Sequence, residues 1–539
     1  MKLEAVEAAF QPDQQGKCSI AAGGMVASAH PAATNAGVAV LAKGGNAVDA
    51  AVATAFALSV CEPQASGLGG QSIGMVHING ETYGLDGSSR VPEGATLAAM
   101  AQGDRKHGYR ATTVPSTPAF LGYLHFREGR LSWRDVLEPA IQLARDGYAI
   151  TALQHRLQHR ELKTMLAQPG RRGAHYFLHN DLPIPEGQMF CQPDLAGLLE
   201  SLADHGVKSF YRGAVAARID ADMRANGGFL TAADLARIPW PVIRKPIHRN
   251  YRGLQVVTMP PPAAGRVLLL VLMMLNHFPS RMFRKMDAHT FHLLAELFRK
   301  AMIQRRERPY DPDTYPLIQN KLSRKAARAM AQSIREDIDP SLPMVDPPNE
   351  SGDTTHLSVM DAEGGAVGIT QSIERVYGAQ VACEGLGFLY NNYLMALETQ
   401  DPKHPYFLKP GAVPWSTVAP TLLFHKERPW MVVGSPGSER IFSAISQFLL
   451  RTLDGKQGMG AALAAPRLHC SVGGKVSLEA DRFDPDVISY LEKKGYKIDR
   501  REPYAFYLGA VHATVRCVSG KGFQGVAEVR RDGTAAGPD

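Results

Sequence analysis

The chain has 539 residues, 45% of them hydrophobic and 21% charged, and a formal net charge of +7. This is an ordinary globular composition, and its interspersed acidic and basic residues describe a solvated surface rather than the concentrated positive face of a nucleic-acid binder. The six cysteines, Cys18, Cys61, Cys191, Cys383, Cys470 and Cys517, lack the paired spacing that holds zinc and read as reduced, mostly buried residues.

Residues 1–17 carry Glu4, Glu7 and Asp13 and no apolar core, so no secretory signal is expected there. The longest apolar run, 267–275, is nine residues, about half of the ~20 needed to cross a bilayer. Together these readings predict a cytoplasmic protein without a membrane partner.

In chain order, residues 23–28 enter a short strand, Pro31 opens an Ala-rich helix to about Ala42, and Asn46 caps a second helix over 47–60. Asp49 in that helix reads as a structural hydrogen-bonding residue. Gly67-Leu68-Gly69-Gly70 precedes strands over 72–78 and 81–86. A phosphate-cradling glycine loop needs a strand before it and a helix after it, so the phosphate reading is disfavoured. Helices are expected over 131–146 and 192–205, a strand over 251–259 and an apolar helix over 265–276. The helix over 288–306 is amphipathic, with Phe291, Leu294, Leu297, Phe298 and Met302 on one face and Arg299, Lys300 and Arg305 elsewhere. A proline-containing connector, 337–352, suits an exposed segment.

The next stretch organises the chain. Asp353-Thr354-Thr355-His356 and the residues to Asp361, the turn Ala362-Glu363-Gly364-Gly365 and the run Ala366 to Ser372 read as a β-hairpin. Pairing Asp361 with Ala366 would set Ser372 opposite Thr355 and one step from Thr354. Thr is common in strands. It becomes a nucleophile only if the preceding peptide bond is cut, because the freed α-amine then serves as the base for its hydroxyl. Later, a strand over 430–433 leads into Gly434-Ser435-Pro436-Gly437-Ser438 and a helix to about Leu450. Backbone N–H groups at such a corner can hold a tetrahedral oxyanion. Two strands around a turn at Gly520–Gly522 complete a second sheet.

Thr354-Thr355-His356 with its hairpin, the Gly434-Ser435-Pro436-Gly437 turn and the early Gly44-Gly45-Asn46-Ala47-Val48-Asp49-Ala50-Ala51 run together resemble the γ-glutamyltranspeptidase family of N-terminal nucleophile hydrolases, from about Gly24 to about Gly533. The resemblance implies an α+β fold, a four-layer αββα sandwich. It also implies a precursor that cuts its own Asp353–Thr354 bond. The large fragment 1–353 and the small fragment 354–539 would stay associated as one intertwined domain, with a dimer of heterodimers as an open alternative.

By the same resemblance Thr354 is the nucleophile, and Ser372 supports it from the position of the family's second Thr. Gly437 and Ser438 supply the oxyanion N–H groups, and Ser416 and Thr417 match a carboxylate-binding Ser-Ser turn. No metal or organic cofactor is implied. The substrate clamp departs from the family pattern: Ser88 stands at the family's Arg, with Arg90 two residues on as either its replacement or a surface residue. Glu374, Tyr393 and Ala396 stand where the family has Asn, Gln and Asp. Gly385 to Asn392 matches a turn into a strand lining the site, and a short 398–413 segment implies an open site.

The implied activity is hydrolysis, favoured over transfer, of γ-glutamyl amides such as glutathione through a threonyl ester. The alternatives are an amidohydrolase for oxamate-like or acyl side-chain amides, and a catalytically inactive scaffold of the fold.

Overall fold

Alternation along the hairpin Gly352–Arg375 sets the layers. Leu357, Val359, Val367 and Ile369 join one apolar cluster with the helix Ala47–Cys61, whereas Met360 and Ala366 join another with Leu422, Met431 and Val433. Successive strand residues point to opposite faces, so one face of this sheet meets helices and the other meets a second sheet. The computed structural model describes all residues except 1–2, 101–104, 308, 316–322, 347–351 and 519–521.

The first sheet runs in the order Thr534–Ala536, Gly24–Ser28, Gly352–Asp361, Ala366–Arg375, Gln71–Ile78, Glu81–Gly87, Val242–Arg244. The second runs Cys18–Ala21, Phe523–Val526, His512–Arg516, Arg428–Gly434, Thr421–His425, Leu254–Thr258, Ile247–Tyr251. Neighbouring strands in both sheets are antiparallel. Helices Pro31–Ala42, Ala47–Cys61 and Trp133–Asp146 form the layer outside the first sheet. Gly265–Leu275, Ala288–Glu307 and Ile441–Leu449 form the layer outside the second. The result is the αββα sandwich that the sequence led us to expect.

Small side chains let Ala47–Cys61 lie buried along its whole length. Its first turn is closed by a reciprocal cap: Asn46 Oδ1 accepts from the Val48 and Asp49 N–H groups, and the Asp49 carboxylate accepts from Asn46 N–H at 3.0 Å. Asp49 also accepts from Arg130 N–H, which is the structural role read from sequence.

The hairpin register differs by one residue from the expected one. Met360, not Asp361, faces Ala366; Thr355 faces Gln371; and a bulge lies between Asp353 and Thr355. The cause is Asp361, whose carboxylate folds into the turn to accept the N–H groups of Glu363 and Gly365 and also that of Ala47. Ser372 is thereby brought beside the Asp353–Thr354 bond rather than opposite Thr355.

The strand expected over 251–259 is two, Ile247–Tyr251 and Leu254–Thr258, because Arg252 and Gly253 turn with φ of 51° and 90°. No strand forms over 385–392; Leu389 and Tyr390 make isolated bridges to Ala382 and Gly69. Pro347 and Pro348 of the connector, and Gly520 of the expected last turn, lie outside the described residues. All six cysteines are free, and Cys191 alone among them is exposed. Among the described residues no helix is long and apolar enough to cross a membrane, and no three His, Cys, Asp or Glu side chains gather to hold a metal ion.

Candidate active site

Thr354 shares strand parity with His356 and Ser358, which puts it on the face between the sheets. His356 fixes the spacing there. Its ring bonds Thr370 Oγ1 at 2.9 Å and Ser358 Oγ at 3.0 Å. It packs so closely on Gly434 that a Cβ at that position would fall 2.2 Å from its Cε1. Burial holds its pKa down at about 3, so it is a neutral spacer and not a general base.

The spacing delivers Thr354 to the corner that ends strand Arg428–Gly434. There Gly437 N–H donates to Thr354 Oγ1 at 3.0 Å. Gly437 has φ of 123°, and a Cβ on it would lie 2.9 Å from the Gly509 Cα, so conformation and space both require glycine. Ser438 adopts φ of 52°, in the left-handed region, and keeps its N–H at the next position in the corner.

The peptide bond before Thr354 is held from several sides. Ser372 Oγ donates to the Asp353 carbonyl oxygen at 2.6 Å and accepts from Glu374 N–H at 2.8 Å. The Asp353 carboxylate accepts from Thr354 N–H at 2.8 Å. Arg531 reaches in from the far end of the chain, pairing with the Asp353 carboxylate, donating to the Thr354 carbonyl at 3.2 Å and pairing with Glu62 at 3.2 Å. Asp353, Glu62 and Arg531 are each buried. One guanidinium thus serves two carboxylates. Burial and the neighbouring Asp353 charge push the Glu62 carboxyl up to about 7 in spite of Arg531. Glu62 Oε2 correspondingly has no hydrogen-bond partner among the described residues.

A hydroxyl at a backbone N–H corner, with a second hydroxyl on the neighbouring carbonyl, is an arrangement suited to acyl transfer. The family model described as Gamma-glutamyltranspeptidase matches residues 33–538. The chain belongs to the γ-glutamyltranspeptidase family. It is 32% identical to a glutathione hydrolase proenzyme of Escherichia coli strain K12, over 89% of this chain and 86% of that one. It is 31% identical to the acylase ACY 1 proenzyme of Pseudomonas sp. strain SE83, over 90% and 89% respectively. Among solved structures, the cephalosporin acylase from Bacillus halodurans superposes with a TM-score of 0.88 at 29% identity, covering 98% of both chains. This family member is therefore an N-terminal nucleophile amidohydrolase of the γ-glutamyltransferase type.

Ser438, next to Gly437, and Glu374, paired across the hairpin with Asp353, open on a cavity of about 250 Å³ whose wall also includes Arg305, Ala396, Trp415 and Thr417. Glu374, Thr417 and Ser438 were expected near substrate, and they meet here. Glu374 stands on the wall with φ of 80°. Ser416 is buried, and its hydroxyl accepts from Val418 N–H at 3.4 Å. Tyr393, expected at the substrate, is not on this wall; it is buried with its hydroxyl beside Ser372 and Gln71, which places it behind the supporting hydroxyl.

Arg90 is not on the wall either. It is half-buried, its carbonyl accepts from Val114 N–H at 2.8 Å, and its side chain forms no ion pair among the described residues. The family's arginine position, Ser88, donates to Asp86 at 2.6 Å, and Asp86 pairs with Arg244 at 3.0 Å. That corner is an internal network in which the Arg244 guanidinium is already paired with Asp86 and Asp313.

The residues that sequence reasoning missed are Arg531, Glu62 and Arg305. Glu62 reads locally as a turn residue before Pro63, and Arg305 as the polar side of an amphipathic helix. Only the doubled Arg530-Arg531 close to acidic residues carried a signal, and it did not say which carboxylates it would meet.

Proposed function

We propose that the chain is a proenzyme that cuts itself between Asp353 and Thr354 and then hydrolyses amides through a Thr354 ester. The observation that carries this reading is the pair of hydrogen bonds at the junction, Gly437 N–H to Thr354 Oγ1 and Ser372 Oγ to the Asp353 carbonyl. In the uncut chain Thr354 Oγ attacks the Asp353 carbonyl carbon while the Ser372 hydroxyl steadies the negative charge on its oxygen. The proton of Oγ passes to the leaving nitrogen as the C–N bond breaks and an ester forms on Oγ, which frees the α-amine of residue 354; water then cleaves the ester, giving the carboxylate of residue 353 and restoring the Thr354 hydroxyl.

In the cut enzyme that amine takes the proton from Oγ as the nucleophile attacks a substrate amide. The Gly437 and Ser438 N–H groups receive the oxyanion, the amine half departs with the proton, and water hydrolyses the ester. Fragments 1–353 and 354–539 remain together because each sheet is built from strands of both. The substrate proposed by kinship is a γ-glutamyl amide such as glutathione, with water favoured over an acceptor amine. An amide of a different small acid is the second reading, favoured by the cavity wall, where Ala396 offers no charge.

Mass spectrometry of purified protein tests the first step. Two polypeptides ending at Asp353 and beginning at Thr354 are expected, and an intact chain that hydrolyses amides would overturn the mechanism. Release of nitroaniline from a γ-glutamyl anilide, compared with ammonia release from oxamate, decides between the two substrate readings.

A further inference from the structure

Arg305 sits in the last turn of helix Ala288–Glu307, where it is 9% exposed and lines the cavity that Glu374 and Ser438 also border. Its guanidinium carbon lies 4.2 Å from the centroid of the Trp415 ring. Trp415 is in turn stacked on Tyr406, with centroids 5.4 Å apart and planes 5° from parallel. Among the described residues a single hydrogen bond holds the guanidinium, from Nη2 to the Ser416 carbonyl at 2.7 Å. Among the described residues no carboxylate stands within ion-pair distance of it.

The neighbouring acids are engaged elsewhere. Glu439 pairs with Arg306 at 2.8 Å. Asp346 accepts from Ser471 Oγ and Gly473 N–H, and Glu398 accepts from the N–H groups of Thr399 and Gln400. Burial pushes Arg305 down to about 10 in spite of the Glu439 charge, and Arg306 and Arg266 add like charge nearby. A guanidinium remains protonated at neutral pH even so.

A desolvated cation satisfied by one neutral carbonyl is costly unless an anion completes it. The planar guanidinium, backed by an indole ring, still has donors available for the paired oxygens of a carboxylate. Met395, Ala396 and Leu397 form an apolar stretch of the same wall, suited to a short methylene chain.

We propose that Arg305, backed by Trp415, receives a carboxylate of the amide substrate in this cavity. The inference rests on the reading of Thr354 as the group that accepts the acyl half, and it names the substrate class as amides bearing a second, free carboxylate. That carboxylate can belong to the acyl half or to the amine half, and substrates separate the two.

The test has two parts, both on the full chain as purified. In the first, glutarate is titrated calorimetrically into wild type, Arg305→Gln and Arg305→Lys. Wild type is expected to bind, Arg305→Gln about 10- to 100-fold more weakly, the range of a charged hydrogen bond, and Arg305→Lys in between. Equal binding by wild type and Arg305→Gln, or no binding by wild type, overturns the proposal. Gel separation of the two fragments in each variant reports on folding and self-cutting, so loss of the split in wild type counts against the Thr354 reading alone.

The second part compares nitroaniline release from glutaryl 4-nitroanilide, butyryl 4-nitroanilide and butyryl 3-carboxy-4-nitroanilide. Preference for the first assigns the carboxylate to the acyl half, and preference for the third assigns it to the amine half. In either case the preference should fall in Arg305→Gln. Equal rates on all three, or a preference that survives the substitution, overturn the proposal.

Discussion

At the Asp353–Thr354 junction every polar group of the bond has a partner, and each partner is fixed by a sheet or by the corner that ends a strand: Ser372 on the hairpin, Gly437 after strand Arg428–Gly434, and Arg531 anchored between two buried carboxylates. Across the cavity the wall is made differently, from a helix end at Arg305 and from loops around 395–398 and 415–417. The first region depends on backbone and hydroxyl groups whose positions follow from the pairing of strands. The second depends on side chains that can be exchanged without disturbing either sheet. Of the departures from the family pattern, Glu374 and Ala396 stand on that wall, whereas Ser88 and Tyr393 are buried away from it.

If that division is right, substitutions at the junction should cost far more than substitutions away from it. The largest expected effect is Thr354→Ala, which removes the attacking oxygen; a single band near 58.5 kDa should persist on a denaturing gel with no hydrolysis of any anilide. Arg531→Met leaves two buried carboxylates without their cation, and breaking a buried pair in this way costs about 3–5 kcal/mol. Denaturant unfolding should show the loss, with slower self-cutting, and Arg531→Lys should recover part of both.

Gly437→Ala comes next. It forces a methyl group against Gly509 and shifts the N–H that meets Oγ, and loss of one oxyanion donor lowers kcat by about 100- to 1000-fold. Turnover by whatever cut enzyme forms would measure it.

A pH experiment sharpens the same comparison. The Glu62 carboxyl is raised to about 7 from its ordinary 4.5, so the folded state holds the proton more tightly than the unfolded one. Its contribution to stability is present below pH 4.5 and is lost as pH rises through 7, on the order of 3 kcal/mol by linkage. Unfolding of the uncut Thr354→Ala chain across this range should show the decline, and Glu62→Gln added to it should flatten the curve. The smallest effect is expected at Arg90, off the cavity wall: Arg90→Gln should change kcat/KM by less than about 3-fold, as surface substitutions do. A large loss there would mean that recognition reaches further than the cavity described.

The Ala-rich helix and its cap were legible because Asn46 and Asp49 satisfy each other within one turn, a relation written in adjacent residues. So were the hairpin and the Gly434–Ser438 corner, which are local patterns of alternation and turn chemistry. The one-residue register error came from a carboxylate that looked like strand and acted as turn, and nothing in Asp361 itself says which. The placement of Arg305, Arg531 and Glu62 was not legible, since each takes its meaning from a partner brought near by the fold. Arg531 and Glu62 lie 469 positions apart in the chain, and no periodicity links them.

The hydrogen bond from Arg531 to the Thr354 carbonyl spans 177 positions of sequence. A ribosome making this protein releases the Asp353–Thr354 bond long before it reaches the arginine that will grip it, so the junction described above cannot be assembled on a nascent chain that stops short of residue 531. On the proposed mechanism, self-cutting would follow synthesis of the whole second sheet, and a prematurely terminated product would lack the means to sever itself.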